Sequence, residues 1–111
     1  MEACSLVEIW RTRPEWFQLN RSQKQEFLNK GHAIIEMVSG KGAKLIGIHR
    51  CRAVSEGGWD LFAYWQMPNI DLVVELAERL DRIGWNRYFE QVNYVGKTIT
   101  AEQYFADLLG D

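Results

Sequence analysis

The pattern that most constrains this chain is stated in it twice. Val7-Glu8-Ile9-Trp10 runs on to Pro14, Phe62-Ala63-Tyr64-Trp65 runs on to Pro68, and each run is followed by a long helical periodicity and then another strand. Two β-α-β units of this kind fold together into one four-stranded antiparallel sheet with both helices on one face. The other face is left bare. Pairing two copies through it would bury it and enclose a small cavity, so the architecture provides a place for a ligand without naming one.

The periodicity alternates between two and 3.6 residues along the chain. Residues 5–11 alternate around Val7 and Ile9 and predict the first strand. Pro14 stops it, and Arg13-Pro14-Glu15-Trp16-Phe17 reads as a connecting turn that packs its aromatics at one end of the sheet. Asn20 offers a helix N-cap, after which Phe27, Leu28, Gly31, Ile34, Ile35 and Val38 form one apolar stripe ending at Ser39-Gly40. Residues 43–54 predict the second strand, Ser55-Glu56-Gly57-Gly58 a hairpin turn, and residues 59–67 the third strand. Asn69 caps a second helix with the stripe Val73, Leu76, Ala77, Leu80 and Ile83, stopped by Gly84. Residues 90–99 supply the fourth strand. Thr100 with Gln103 is a capping box for a short C-terminal helix whose Tyr104, Phe105, Leu108 and Leu109 need something to cover, a partner subunit being one candidate. The fold class is therefore α+β, a ferredoxin-like βαββαβ plan with a short C-terminal helix, expected to occupy residues 1–111 as a single domain.

Composition excludes several functions. The 13 basic and 15 acidic residues are scattered and leave a net charge of -2, so no basic face is available for a phosphate backbone and nucleic acid is not an expected partner. Met1-Glu2-Ala3-Cys4 lacks the order of a signal peptide and no run is long enough to span a membrane; a soluble, cytoplasmic protein is expected. Cys4 and Cys51 make no C-x-x-C pair and are expected as free thiols, with no metal and no cofactor.

Alternation assigns faces. With Val7 and Ile9 under the helices, Glu8 and Trp10 point to the open face. Ile46 and Ile48 under the helices leave Leu45, Gly47, His49 and Cys51 open, and Leu61, Ala63 and Trp65 oppose Phe62, Tyr64 and Gln66. The open face is thus expected to collect Glu8, His49 and Tyr64 as candidate catalytic groups, with Trp10, Phe62 and Gln66 as ligand contacts. A mostly apolar cup with a few convergent polar groups is the usual form of a small-molecule site. A carboxylate beside an imidazole can work as a general acid/base pair, and the same two groups can equally be a hydrogen-bonded contact in a dimer. Trp10 and Trp65 have packing as their plainer role.

Other motifs fall to simpler readings. Gly40-Lys41-Gly42 follows a helix and precedes a strand, which is the reverse of a phosphate-binding loop, so it reads as a helix C-cap and turn. His32 and Glu36 lie one turn apart without a third metal ligand and read as a surface pair.

The strand and helix order over nearly the whole chain, with the run Pro14-Glu15-Trp16-Phe17-Gln18-Leu19-Asn20-Arg21, resembles the dimeric α+β barrel superfamily. That superfamily includes antibiotic-biosynthesis monooxygenases, heme-degrading monooxygenases, stress-responsive barrel proteins and small proteins such as the darcynins. The resemblance implies a homodimer with sheets face to face, helices outside and a cavity between sheet and connecting segments. Heme-degrading members place a histidine in or just after the second long helix, and residues 72–89 contain none. Three functions follow: a dimeric protein binding a small aromatic or hydrophobic molecule, a cofactor-independent monooxygenase or isomerase using Tyr64, His49 and Glu8, or a purely structural dimerisation module.

Overall fold

The computed structural model describes residues 2–52 and 57–110. Strand β1 (Cys4–Thr12) leads through a 3-10 turn at Pro14–Gln18 into helix α1 (Arg21–Gly40); β2 (Lys44–Arg50) and β3 (Leu61–Met67) follow, then α2 (Ile70–Arg82), a one-turn α3 (Trp85–Tyr88), β4 (Phe89–Gly96) and α4 (Ala101–Leu109). The four strands form one antiparallel sheet in the order β2-β3-β1-β4. This is the ferredoxin-like α+β arrangement, with the two repeats interleaved so that β1 and β3 lie in the centre. The hairpin turn expected at 55–58 and the end of the second strand fall partly on residues 53–56, outside the described residues.

Local side-chain chemistry sets the helix ends. Asn20 accepts from the Gln23 backbone N–H while the Gln23 side chain accepts from the Asn20 N–H, a reciprocal capping box. Thr100 and Gln103 repeat it at α4, and Asn69 caps α2 through the Leu72 N–H. Gly84 ends α2 at φ +90°, a left-handed conformation that side chains resist, and the chain then turns once more as α3, an element absent from the sequence reading.

One layer of core lies between the sheet and α1 and α2. Leu6, Trp10, Ala63, Trp65 and Met67 point into it from the central strands, and Phe27, Ile34, Val38, Leu72, Val73, Leu76 and Leu80 descend from the helices. Ala77, expected in the α2 stripe, is exposed. At one end the 3-10 turn closes the layer through Trp16, whose ring lies 5.8 Å from Phe27, 5.7 Å from Tyr88 and 5.2 Å from Phe89. Its neighbour Phe17 stays exposed.

The core parity of β1 is the reverse of the expected one. Leu6, Glu8 and Trp10 face the helices, and Val7 and Ile9 face the open side. Register explains this: Leu6 pairs with Trp65, Glu8 with Ala63 and Trp10 with Leu61, and directly paired residues of an antiparallel ladder share a face. Leu6 and Trp10 bury more apolar surface than Val7 and Ile9, so their shared parity prevails and carries Glu8 inward. In β2, a register shift between Leu45 and Gly47 places Leu45 and Ile48 on the helix side opposite Trp65 and Ala63, with Ile46 exposed in the irregularity.

Cys4 and Cys51 are free thiols near opposite ends of β3, Cys4 paired with Met67 and Cys51 bonded through its backbone N–H to the Asp60 carbonyl. At about 3.3 Å per residue they stand roughly 20 Å apart, beyond the reach of any disulfide. Thiol titration of the denatured, unreduced protein should give two equivalents per chain; one or none would mean that a thiol is oxidised or bridged to another chain.

Candidate functional site

Two faces of the sheet carry the candidate residues. The open face holds His49, Phe62, Tyr64 and Gln66, together with Val7, Ile9, Val92 and Tyr94 from β1 and β4. His49 lies over Gly47, where a Cβ would come within 2.9 Å of its Nε2, and stacks on Phe62 at 4.7 Å. The glycine makes room for the ring. Tyr64 is not an unengaged phenol, because its hydroxyl lies 3.2 Å from Ser5 Oγ. Arg11 and Glu90, cross-strand partners on this face, form an ion pair. The surface is an apolar sheet with polar edges, hollowed to about 350 Å³ where Ser5, Tyr64, Gln66 and Lys97 meet.

Glu8 and Trp10 are not part of it. They lie beneath the helices with Trp65, so Glu8 cannot share a substrate with His49 and Tyr64 inside one chain. The six-residue cup divides, with four residues outside and two inside. An ionisable group came to face the core because its neighbours in the alternation demanded it, and the inner face supplies its hydrogen bonds.

The Glu8 carboxylate, 7% exposed, accepts from the Trp65 indole N–H at 2.6 Å and from the Gln91 amide at 2.8 Å. Gln91 is oriented by α3: the Trp85 indole donates to its Oε1 at 2.7 Å, which turns its NH2 group toward Glu8 and Asn93. The result is a chain of neutral donors, Trp85 to Gln91 to Glu8, closed from the other side by Trp65. Burial pushes the Glu8 carboxyl above its ordinary value, and the two N–H donors pull it partly back.

Beside this carboxylate is a cavity of about 180 Å³ between the sheet and the helix layer. Helix α1 lines it with Leu28, Gly31, His32 and Ile35, α2 with Leu76 and Leu80, α3 with Trp85, and the sheet with Glu8, Trp10, Leu45, Ile48, Ala63 and Trp65. Its exposed lining residues, Leu28, His32 and Ile48, mark the mouth between α1 and the edge strand β2. His32 pairs with Glu36 at 3.6 Å across one turn, both well exposed. Gly31 shows why the space exists. A glycine inside a helix costs about 0.5–1 kcal/mol relative to alanine, and here a Cβ would meet nothing nearer than the Trp85 ring at 3.9 Å. Backbone geometry does not require glycine at this position; what its missing side chain leaves is volume in the cavity.

The cup expected from strand alternation lies on the open face, and this inner cavity was not expected. Leu6 at the parity of Glu8 and Trp10, and a glycine in the middle of an otherwise continuous helical stripe, were the available signals. Among the described residues no group of three or more His, Cys, Asp or Glu is placed to hold a metal ion, and no helix is long and apolar enough to cross a membrane.

Burial of Glu8 makes stability depend on pH. Between its unfolded value of about 4.3 and its raised folded value the native state binds more protons than the unfolded state, so this residue makes stability fall as pH rises through that window. Glu75 and Glu90, held low by Lys41 and Arg11 respectively, act oppositely, and their contribution is lost as pH falls below about 4. Urea unfolding across pH 4–8 should show a downward slope on the alkaline side of about 4.3 that Glu8→Gln flattens. An unchanged slope in the variant would place that titration elsewhere.

A family model described as a family of unknown function, DUF6616, matches residues 3–110. No curated protein matches the chain. Among solved structures, the fold is similar to chlorite dismutase from Candidatus Nitrospira defluvii in complex with imidazole, with a TM-score of 0.68 at 13% identity over 97% of this chain and 45% of that one. It is also similar to a heme-binding protein from Thermus thermophilus, with a TM-score of 0.65 at 16% identity over 85% of this chain and 39% of the other. The chain spans less than half the length of these structures, and at such identity the likeness is one of fold.

Proposed function

The chain belongs to the DUF6616 family, and we propose that it is a homodimeric protein that binds a small hydrophobic molecule in the cavity between its sheet and its helices. The observation that carries this reading is the cavity itself, apolar almost throughout, kept open by Gly31 and furnished with one buried carboxylate. An apolar cavity of about 150 Å³ suffices for benzene, so about 180 Å³ suits a molecule with one ring. The heme bound by the Thermus thermophilus neighbour does not fit this space, since even drug-sized ligands occupy pockets of about 300–1,000 Å³. Among the described residues the one lining imidazole, His32, stands exposed at the mouth beside Glu36.

Monocyclic aromatic compounds titrated into the protein should change its tryptophan fluorescence, because Trp10, Trp65 and Trp85 form three of the walls. Gly31→Leu should fill the space and weaken such binding at least tenfold. Gly31→Ala should leave the fold more stable by about 0.5–1 kcal/mol. Absence of any fluorescence or thermal-shift response across benzene, toluene and indole would defeat the reading.

The dimer is supported by what the open face and α4 leave uncovered. Helix α4 has no buried residue, and Tyr104, Phe105, Leu108 and Leu109 are all exposed. The radius of gyration of 16.3 Å exceeds the roughly 13 Å of a compact chain this long. The open sheet face offers on the order of 500 Å² from its strand spacing and length, short of the about 800 Å² per partner of a stable interface. The aromatic and leucine side chains of α4 can supply the remainder, each aromatic burying up to about 150–250 Å². A second copy therefore covers the face, with α4 as an arm reaching across it.

A further inference from the structure

We propose that the ligand of the cavity is a small hydrophobic organic cation, an aryl- or alkylammonium, seated with its charged head on Glu8 and its apolar body against Trp10, Trp65 and Trp85; this rests on the reading of the cavity as a ligand site. Among the described residues Glu8 is the only acidic group lining the cavity, and no lysine or arginine lines it. The arginine nearest to it in sequence, Arg11, belongs to the opposite face and is committed to Glu90. The carboxylate is thus held by two neutral dipoles and, among the described residues, has no counter-charge, which a buried ion needs.

The surrounding groups hold Glu8 as an acceptor. Trp65 donates to Oε1 and Gln91 to Oε2, and Trp85 prevents the Gln91 amide from presenting its oxygen instead. A carboxylate has about four acceptor positions, and two are used. The remaining capacity calls for a donor, and an ammonium supplies both the donor and the missing charge.

The walls suit the apolar body of such a ligand, since three tryptophans line this space. An anionic ligand would meet the carboxylate as a like charge. A neutral ring would fill the volume and leave the charge as it was. From the other elements around the cavity, α2, α3 and β2 contribute no titratable lining group among the described residues, and α1 contributes only His32 at the mouth, beside Glu36.

Benzylamine and benzyl alcohol have the same size and shape and differ in charge at neutral pH, which makes them the probes. By tryptophan fluorescence and calorimetry, benzylammonium should bind the native protein at least tenfold more tightly than benzyl alcohol, and Glu8→Gln should abolish that preference while benzyl alcohol still binds. Equal affinities in the native protein, or a preference that survives Glu8→Gln, would overturn the cation assignment and leave the apolar cavity standing. Binding of neither probe would overturn the cavity reading together with it. Should the variant fail to fold, the comparison of the two probes on the native protein decides alone.

Discussion

Trp65→Ala should cost about 4–8 kcal/mol, enough to unfold most of the population if the protein has the usual stability of about 5–15 kcal/mol. Trp65 is 2% exposed and sits on the central strand β3, between Leu6 and Leu45 in the register. Truncating a buried tryptophan costs about 3–5 kcal/mol in lost burial and cavity. Here the same change removes the indole N–H from Glu8 Oε1, leaving a buried carboxylate oxygen without a donor for about 1–3 kcal/mol more. Trp65→Phe separates the two contributions, since it keeps most of the packed ring and loses the donor; its cost should be about 1–3 kcal/mol. Urea unfolding followed by circular dichroism measures both. A loss under about 2 kcal/mol for Trp65→Ala would mean that this indole neither anchors the core nor supports Glu8.

The elements of the fold that rest on local backbone chemistry were legible in the sequence. Asn20 with Gln23, Thr100 with Gln103, Asn69 and Gly84 each act within a few residues of themselves, and each marks its helix end where expected. The faces of the strands were not equally legible. Alternation of period two has two solutions, and it selects one only when a single face is apolar. Here Leu6 and Trp10 compete with Val7 and Ile9, and both faces of β1 are hydrophobic. Only pairing with β3, where Ala63, Trp65 and Met67 are buried, decides between them. The shift between Leu45 and Gly47 breaks the parity of β2 in a way that no alternation could foresee. The cavity depends on how α1 and α2 sit over the sheet, a long-range outcome whose one local trace is Gly31. The one-turn helix Trp85–Tyr88 is too short for periodicity to register, yet it orients the amide that holds Glu8.

Ile9→Glu should convert the proposed dimer to a monomer. Ile9 lies at the centre of the open face, paired with Phe62 on one side and Val92 on the other. In a two-fold interface each residue is used twice, so one substitution places two carboxylates in the contact. Desolvating an unpaired carboxylate costs several kcal/mol, and at about 1.4 kcal/mol per decade the dissociation constant should rise by at least about a thousandfold. The monomer should keep its fold, because the substituted side chain points away from the helix layer and the core beneath is untouched. Removing residues 101–110 should weaken the dimer less, since it withdraws the arm and leaves the sheet contact. Light scattering at micromolar concentration should read twice the 13.0 kDa chain mass for the native protein and the single mass for Ile9→Glu, with unchanged circular dichroism. A native protein of single mass would leave Tyr104, Phe105, Leu108 and Leu109 without the cover proposed for them. A dimer that tolerates Ile9→Glu would place its contact on another surface, and the division of labour between an outer face for assembly and an inner cavity for ligand would fall with it.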